Sequence, residues 1–349
     1  MKGLSRITVV LLMSAGTLPA GAQESTATGW SWEQYGSLRM QFESVQPDRR
    51  AGFGSYTGLR DAYSRFGANL AYRFDGGARA FAQIEVPFDS ANFRLRDPYD
   101  QGGFGRDEAE PLRIARIGLE GRFGTLSLGQ QWMPYYNAIA APVDWFSSYY
   151  SGFATYTTPR LRNTVAWYSP RVGGFGVAAS WSAPHGNELS TARIDDRRWQ
   201  ATVSWNDGPF AIAAGLDDRG NADGYRDRLY GLTTTWQRDA WYLAFKYERT
   251  DTNVPGAFYG DDRQAYNLLG AYTRGRNTWK LMLARVEGYG EDTVHFGVDH
   301  RYSDALTFFA EFYSESETAA ITDRRRGLDR YDAAVSGGRA LSLGLRYDF

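Results

Sequence analysis

Apolar and polar residues alternate with a period of two along most of the chain, the signature of strands with two unlike faces. Near the end, Leu341, Leu343, Leu345, Tyr347 and Phe349 share one face, and Ala340, Ser342, Gly344, Arg346 and Asp348 share the other. Leu306, Phe308, Ala310 and Phe312 alternate with Thr307, Phe309, Glu311 and Tyr313 in the same way. Two further examples are Trp241, Leu243, Phe245 and Tyr247, and Trp199, Ala201, Val203 and Trp205. Rings gather near the ends of these runs. Aromatic girdles at the margins suit a barrel in a bilayer, whereas a soluble sandwich buries its rings against a second sheet.

Gly, Asn and Asp turns separate the runs into hairpins, as at Asp75-Gly76-Gly77, Val172-Gly173-Gly174, Asn206-Asp207-Gly208 and Ser303-Asp304. Between them lie mostly longer polar connections: 44–60, 89–110, 134–159, 184–195, 218–224, 251–262, 289–290 and 317–336. Strands are expected to begin near residues 32, 61, 78, 111, 125, 160, 175, 196, 209, 225, 240, 263, 277, 291, 305 and 338. That even count, with short turns at one end and long loops at the other, predicts an all-β fold. It is a transmembrane antiparallel 16-stranded β-barrel with short periplasmic turns, long extracellular loops and a bore wide enough for water.

The first residues carry different information. Met1, Lys2 and Arg6 precede an apolar run from Ile7 to Met13, and small residues lead to Ala20-Gly21-Ala22. A basic start, a short apolar stretch and an A-x-A site predict a signal peptide, residues 1–22, cleaved after Ala22. The run is too short for a spanning helix, and nothing later resembles one. The mature barrel is then 23–349. Removing Lys2 and Arg6 takes the formal charge from -1 to -3, so no broad basic surface invites nucleic acid. With no cysteine among 349 residues, disulfides and thiolate metal sites are excluded. No cofactor or metal is expected.

Several stretches are similar to the Gram-negative general porins. Tyr35-Gly36-Ser37-Leu38-Arg39 resembles their first strand and Ser64-Arg65-Phe66-Gly67 their second. RIARIGLEGRFGTLSLGQQ, residues 113–131, resembles the fourth and fifth. Tyr168-Ser169-Pro170 and Gly173-Gly174-Phe175 resemble the sixth and seventh, and the closing Arg346-Tyr347-Asp348-Phe349 resembles an assembly signal, carried by Tyr347 and Phe349. The resemblance covers most of the mature chain. It implies a homotrimer in the outer membrane of a Gram-negative bacterium, in contact with lipid and lipopolysaccharide and inserted by the barrel-assembly machinery. It also implies a third loop folded into the bore, opposite basic residues on the wall, and passive diffusion of small hydrophilic solutes and ions.

Alternation turns Arg39 and Arg65 inward, the resemblance places Arg113 on the same wall, and Arg160 and Arg162 lead into the sixth strand on the face opposite Val165 and Trp167. A guanidinium stays charged and its fork orients anions, and charged rings at a narrow level set ion preference. The same residues could instead snorkel to lipid phosphate. The third loop, 134–159, carries a single acid, Asp144, among rings that include Tyr149 and Tyr150. Those three are the candidate constriction-loop residues, and the charge balance predicts a weak preference for anions. The rings either pin the loop to the wall or offer a stacking track for sugars. Arg116 has the parity opposite to Arg113, so it faces a subunit contact or the register shifts between the two.

Catalysis finds little support. Among His185, His295 and His300, the last two fall on opposite faces of one strand and cannot share a site there. Asp217 to Gly224 faintly resembles a calcium loop but carries Arg219 in a ligand position, and reads as a solvated loop. The arginine run at 324–326 could meet lipopolysaccharide phosphates or simply be solvated. Two other functions stay open: a substrate-specific channel for a sugar or anionic nutrient, marked by saturable flux, and an anchoring or adhesion barrel, marked by a plugged bore.

Overall fold

The computed structural model describes residues 28–48, 54–95, 112–152, 154–182, 198–220, 224–257, 260–288, 290–316, 320–321 and 337–349. The signal-peptide reading, His185 and the arginine run at 324–326 lie outside them. In chain order the strands are β1 (Gly29–Pro47), β2 (Tyr56–Asp61), β3 (Arg65–Arg73), β4 (Arg79–Pro87), β5 (Ile114–Gly121), β6 (Gly124–Trp132), β7 (Arg160–Tyr168), β8 (Phe175–Ser182) and β9 (Arg198–Asp207). They continue with β10 (Phe210–Asp218), β11 (Asp227–Arg238), β12 (Trp241–Thr252), β13 (Gln264–Arg274), β14 (Asn277–Val286), β15 (Gly290–Arg301), β16 (Leu306–Glu315) and β17 (Gly338–Asp348).

All belong to one antiparallel sheet that closes on itself. β2 and β3 are two lengths of one barrel strand, so the barrel has sixteen strands, as expected. Some boundaries differ from the sequence reading. β1 runs on to Pro47 and β2 already starts at Tyr56, so much of the expected 44–60 connection is strand. Asp217 and Asp218, read as part of a solvated loop, end β10; Asp217 is fully buried and paired with Arg198.

Closure is made by β1. Its residues Ser37 to Pro47 pair with β17, while its other edge pairs with β2 and β3. The last residue joins this ladder: Phe349 N–H donates to Gly36 O (3.1 Å) and Gly36 N–H donates to Phe349 O (2.9 Å). A sheet in hydrocarbon has no water for an open edge, so closure satisfies groups that would otherwise cost several kcal/mol each. The Phe349 ring lies over Gly36 and tilts against Tyr347 and Phe66 at 5.8 and 6.0 Å.

The burial pattern is that of a protein turned outward. Leu341, Leu343 and Tyr347 are 52%, 55% and 43% exposed, while Ser342 beside them is 1% exposed. The same inversion runs round the barrel, with Leu268, Leu281, Leu283 and Phe296 outside and Asn267, Lys280 and His295 inside. Apolar surface on this scale is far beyond what a soluble monomer exposes, and it fits a lipid-facing belt around a polar lumen.

Gly129, in β6, lies opposite Arg116 at a shift of register and has φ +119°. A Cβ there would sit 2.1 Å from Ala115 O. Gly129→Ala is expected to destabilise the barrel by about 1–3 kcal/mol, read as a lower urea midpoint in detergent. An unchanged midpoint would show that β6 relaxes freely at this point.

Candidate functional site

The third loop leaves β6 and folds into the barrel, where its backbone groups need partners away from bulk water. The inner wall provides them in sequence. Tyr135 N–H donates to Gln200 Oε1 (2.9 Å), Thr233 Oγ1 donates to Ile139 O (2.6 Å), and Tyr242 OH donates to Pro142 O (2.8 Å). Lys280 Nζ donates to Trp145 O (3.0 Å), and the Glu311 carboxylate accepts the N–H groups of Ser147 (2.7 Å) and Ser148 (3.1 Å). At the tip, Tyr149 N–H donates to Gln41 Oε1 (2.8 Å) and Tyr150 OH donates to Glu43 Oε2 (2.9 Å). On the way back, Lys246 Nζ donates to Ala154 O (2.6 Å) and Thr155 Oγ1 to Glu248 (2.8 Å). The loop therefore lines the sector from β9 round to β1.

Ring packing strengthens the docking. Trp145 stacks on Tyr242 at 3.9 Å, Phe146 on His295 at 3.5 Å and Tyr150 on Tyr313 at 5.1 Å. Tyr149 and Tyr150 are 0% and 2% exposed. Rings so enclosed pack the loop against the wall. Burial, and then the adjacent Glu43 carboxylate, push the Tyr150 phenol well above its ordinary pKa, so it remains the donor. The loop begins with a single π turn, Tyr136–Ala140, followed by a 3-10 turn, Ala141–Val143. Tyr135 and Ile139 enter a notch made by two facing lumen glycines, Gly215 and Gly231; a Cβ on Gly231 would lie 2.2 Å from Tyr135 Oη. Asp144 accepts from Tyr136 OH (2.6 Å) and from Ser151 Oγ.

The arginines gather on the sector that continues from β17 and β1 round to β7. Arg113 Nε bonds to Glu85 Oε1 at 2.9 Å and Arg65 Nε lies 3.7 Å from Glu85 Oε2. Arg160 also acts on Glu85, with its guanidinium over the Trp132 ring at 4.9 Å. Arg39 donates from Nε to Ser37 Oγ (2.8 Å) and lies among Arg346, Arg65 and Arg113. Arg346 is its direct cross-strand partner, and Arg346 Nε lies 2.6 Å from Asp348 Oδ2. Like charges opposite each other destabilise a sheet; Asp348, which also accepts from Ser37 Oγ (2.6 Å), offsets this. The fold thus brings Arg39, Arg65, Arg113 and Arg160 together. Arg346 joins them although the sequence reading assigned its segment to assembly; its parity with Ser342 and Asp348 was the available signal.

Alternation fails where this wall is built. Ala62, Tyr63 and Ser64 stand opposite only Leu38 and Arg39, a one-residue bulge that lets Arg60 and Arg65, of opposite parity, both face the bore. Arg113 lies just before β5, so parity does not relate it to Arg116. Arg116 faces the lumen, not a subunit contact: its Nε donates to Gln83 Oε1 (2.8 Å), which neighbours the Tyr35 hydroxyl. In β7, Arg162 and Asn163 are opposed by Gln130 alone and Asn163 has φ +52°. Arg162 is exposed beside that bulge, where the alternation used to turn it inward no longer applies. His295 and His300 are separated as expected, His295 against Glu311 (3.0 Å) and His300 against Asn277 (2.8 Å). Among the described residues, no group of acids and histidines could hold a metal ion.

A closed barrel with an apolar belt, a polar bore and an inward-folded loop is the architecture of a transmembrane channel. The model of the Gram-negative porin family matches residues 8–320, and the chain belongs to that family. It is accordingly an outer-membrane channel for passive diffusion, in a family of non-enzymatic channels. Among solved structures, an anion-selective porin from Comamonas acidovorans superposes with a TM-score of 0.66 at 17% identity, covering 92% of this chain and 100% of that one. Salmonella typhi OmpF, in complex with daunomycin, gives 0.69 at 13% identity, covering 92% and 98%. OmpT of Vibrio cholerae, in a trimer form, gives 0.61 at 14% identity, covering 92% and 100%. No curated protein matches the sequence.

Filling the glycine notch tests the docking. Gly231→Leu is expected to push Tyr135 and Ile139 toward the bore, lowering single-channel conductance while costing about 1–3 kcal/mol of stability by overpacking. Unaltered conductance would mean that this part of the loop does not border the ion path.

Proposed function

We propose that the protein is a homotrimeric general diffusion pore with a weak preference for anions, its narrowest level lying between the arginine wall and the third loop. One observation carries this reading: among the described residues, five guanidiniums, Arg39, Arg65, Arg113, Arg160 and Arg346, share a wall sector with three carboxylates, Asp61, Glu85 and Asp348. The loop opposite adds Asp144, which already accepts two hydroxyl hydrogen bonds. Wall acids on the loop side are engaged in holding it: Glu43 by Arg60 and Tyr150, Glu248 by Lys246 and Thr155, Glu311 by Lys280 and two backbone N–H groups. Excess positive charge in a confined aqueous path raises the local anion concentration. The anion selectivity named for the Comamonas acidovorans porin and the trimer form of the Vibrio cholerae protein support the two halves of the reading. Cleavage after Ala22, with Tyr347 and Phe349 serving as the assembly signal, belongs to the same reading.

Planar bilayers under a KCl gradient test it. Conductance should rise in groups of three, and the reversal potential should carry the chloride sign. Replacing Arg65 and Arg113 together by glutamine should move that potential toward the potassium sign by several millivolts or more. A potassium-sign potential in the unaltered protein would overturn the anion preference.

A further inference from the structure

The bulge between β2 and β3 is built rather than frayed. Asp61, 2% exposed, accepts the N–H groups of Tyr63 (2.8 Å), Ser64 (3.0 Å) and Ser90 (3.1 Å), and the Ser90 hydroxyl (2.8 Å). Ser64 Oγ accepts from Arg39 N–H (2.8 Å) in place of a strand carbonyl, and donates to Arg39 O (3.0 Å), which also accepts from Ala62 N–H (3.2 Å). At its centre Tyr63 has φ +69°, a left-handed conformation that a bulky residue adopts at a cost. Such strain persists where the surroundings enforce it and points to a use for the residue.

Its contacts show what that use is. The Tyr63 ring stacks on Tyr149 at 5.6 Å with an 11° interplanar angle, and Tyr63 OH donates to Tyr149 O (2.8 Å). Arg60, on the other side of the bulge in sequence, lies over the same Tyr149 ring at 4.4 Å. The loop tip is therefore gripped from β2, the strand beyond β1 and next to the arginine wall.

We propose that Tyr63 is a positioning residue for the channel: the bulge delivers it to the loop tip, and its ring and hydroxyl hold the gap between loop and wall. The inference rests on the reading that the third loop narrows the bore. The tip is tied to β1 through Tyr149 N–H and Tyr150 OH. Tyr63 supports the Tyr149 ring and carbonyl from beyond β1.

The test compares the unaltered channel with Tyr63→Ala and Tyr63→Phe in planar bilayers. Tyr63→Ala should raise open-channel current noise several-fold and lower the voltage at which half the channels close. Tyr63→Phe, which keeps the stack, should recover most of the quiet behaviour, a rescue that a general folding defect would not give. Should Tyr63→Ala fail to fold, Tyr149→Leu removes the stacking partner, leaves the bulge intact and carries the same expectation. A quiet, voltage-resistant Tyr63→Ala channel beside a Gly231→Leu channel of lowered conductance would overturn the clamp alone. If neither substitution changes the current, the constriction on which the clamp depends is overturned with it.

Discussion

In hydrocarbon, every backbone N–H and C=O must find its partner within the protein, and the rest of this structure follows from that constraint. It forces the sheet to close, and closure falls to β1, which pairs with β17 on one edge and with β2 and β3 on the other. The ladder extends to Phe349, whose backbone exchanges bonds with Gly36. A closed, alternating sheet then has one apolar and one polar surface. Lipid takes the first, and water and the third loop take the second.

The loop faces a milder form of the same demand. Folded into the bore, it brings its own peptide groups, and lumen side chains receive them: Gln41, Gln200, Thr233, Lys246, Lys280 and Glu311 all bond to its backbone. This docking has an electrostatic consequence. Carboxylates that meet the loop are held by lysines, arginine and backbone donors, whereas on the wall from β17 round to β7 the arginines outnumber Asp61, Glu85 and Asp348 among the described residues. The asymmetry of charge behind the proposed anion preference thus grows out of the way the loop is held.

The arginine side is also where regular strand geometry gives way. One bulge precedes Arg65, another follows Arg160, and Arg113 stands just outside β5. Bulges re-aim side chains and add local twist. Here they allow guanidiniums of mixed parity to converge on one level, including the directly opposed Arg39 and Arg346. A concentration of like charge that a regular ladder would disperse is tolerated because Glu85, Asp348 and Ser37 are interleaved with it.

Alternation and turn chemistry, both local, by themselves determined the barrel, its strand number, the inward faces of Arg39 and Arg65 and the presence of a long aromatic loop with one acid. A period of two sorts residues between lipid and lumen as long as it is unbroken, and for β9 to β17 that was enough except at the bulge of Glu291 and Asp292 in β15. Only the tertiary structure decided the rest. It turned Arg116 inward, since the strand's phase is reset between Arg113 and β5. It drew Arg346 into the wall, since that requires β17 to lie beside β1, 311 positions away in sequence at the Ser37–Asp348 bond. It buried Tyr149 and Tyr150 instead of presenting them, since their partners Tyr63 and Tyr313 come from distant strands. One inserted residue inverts the phase of every side chain after it, and whether an insertion is a bulge or a loop depends on what the opposite strand can pair.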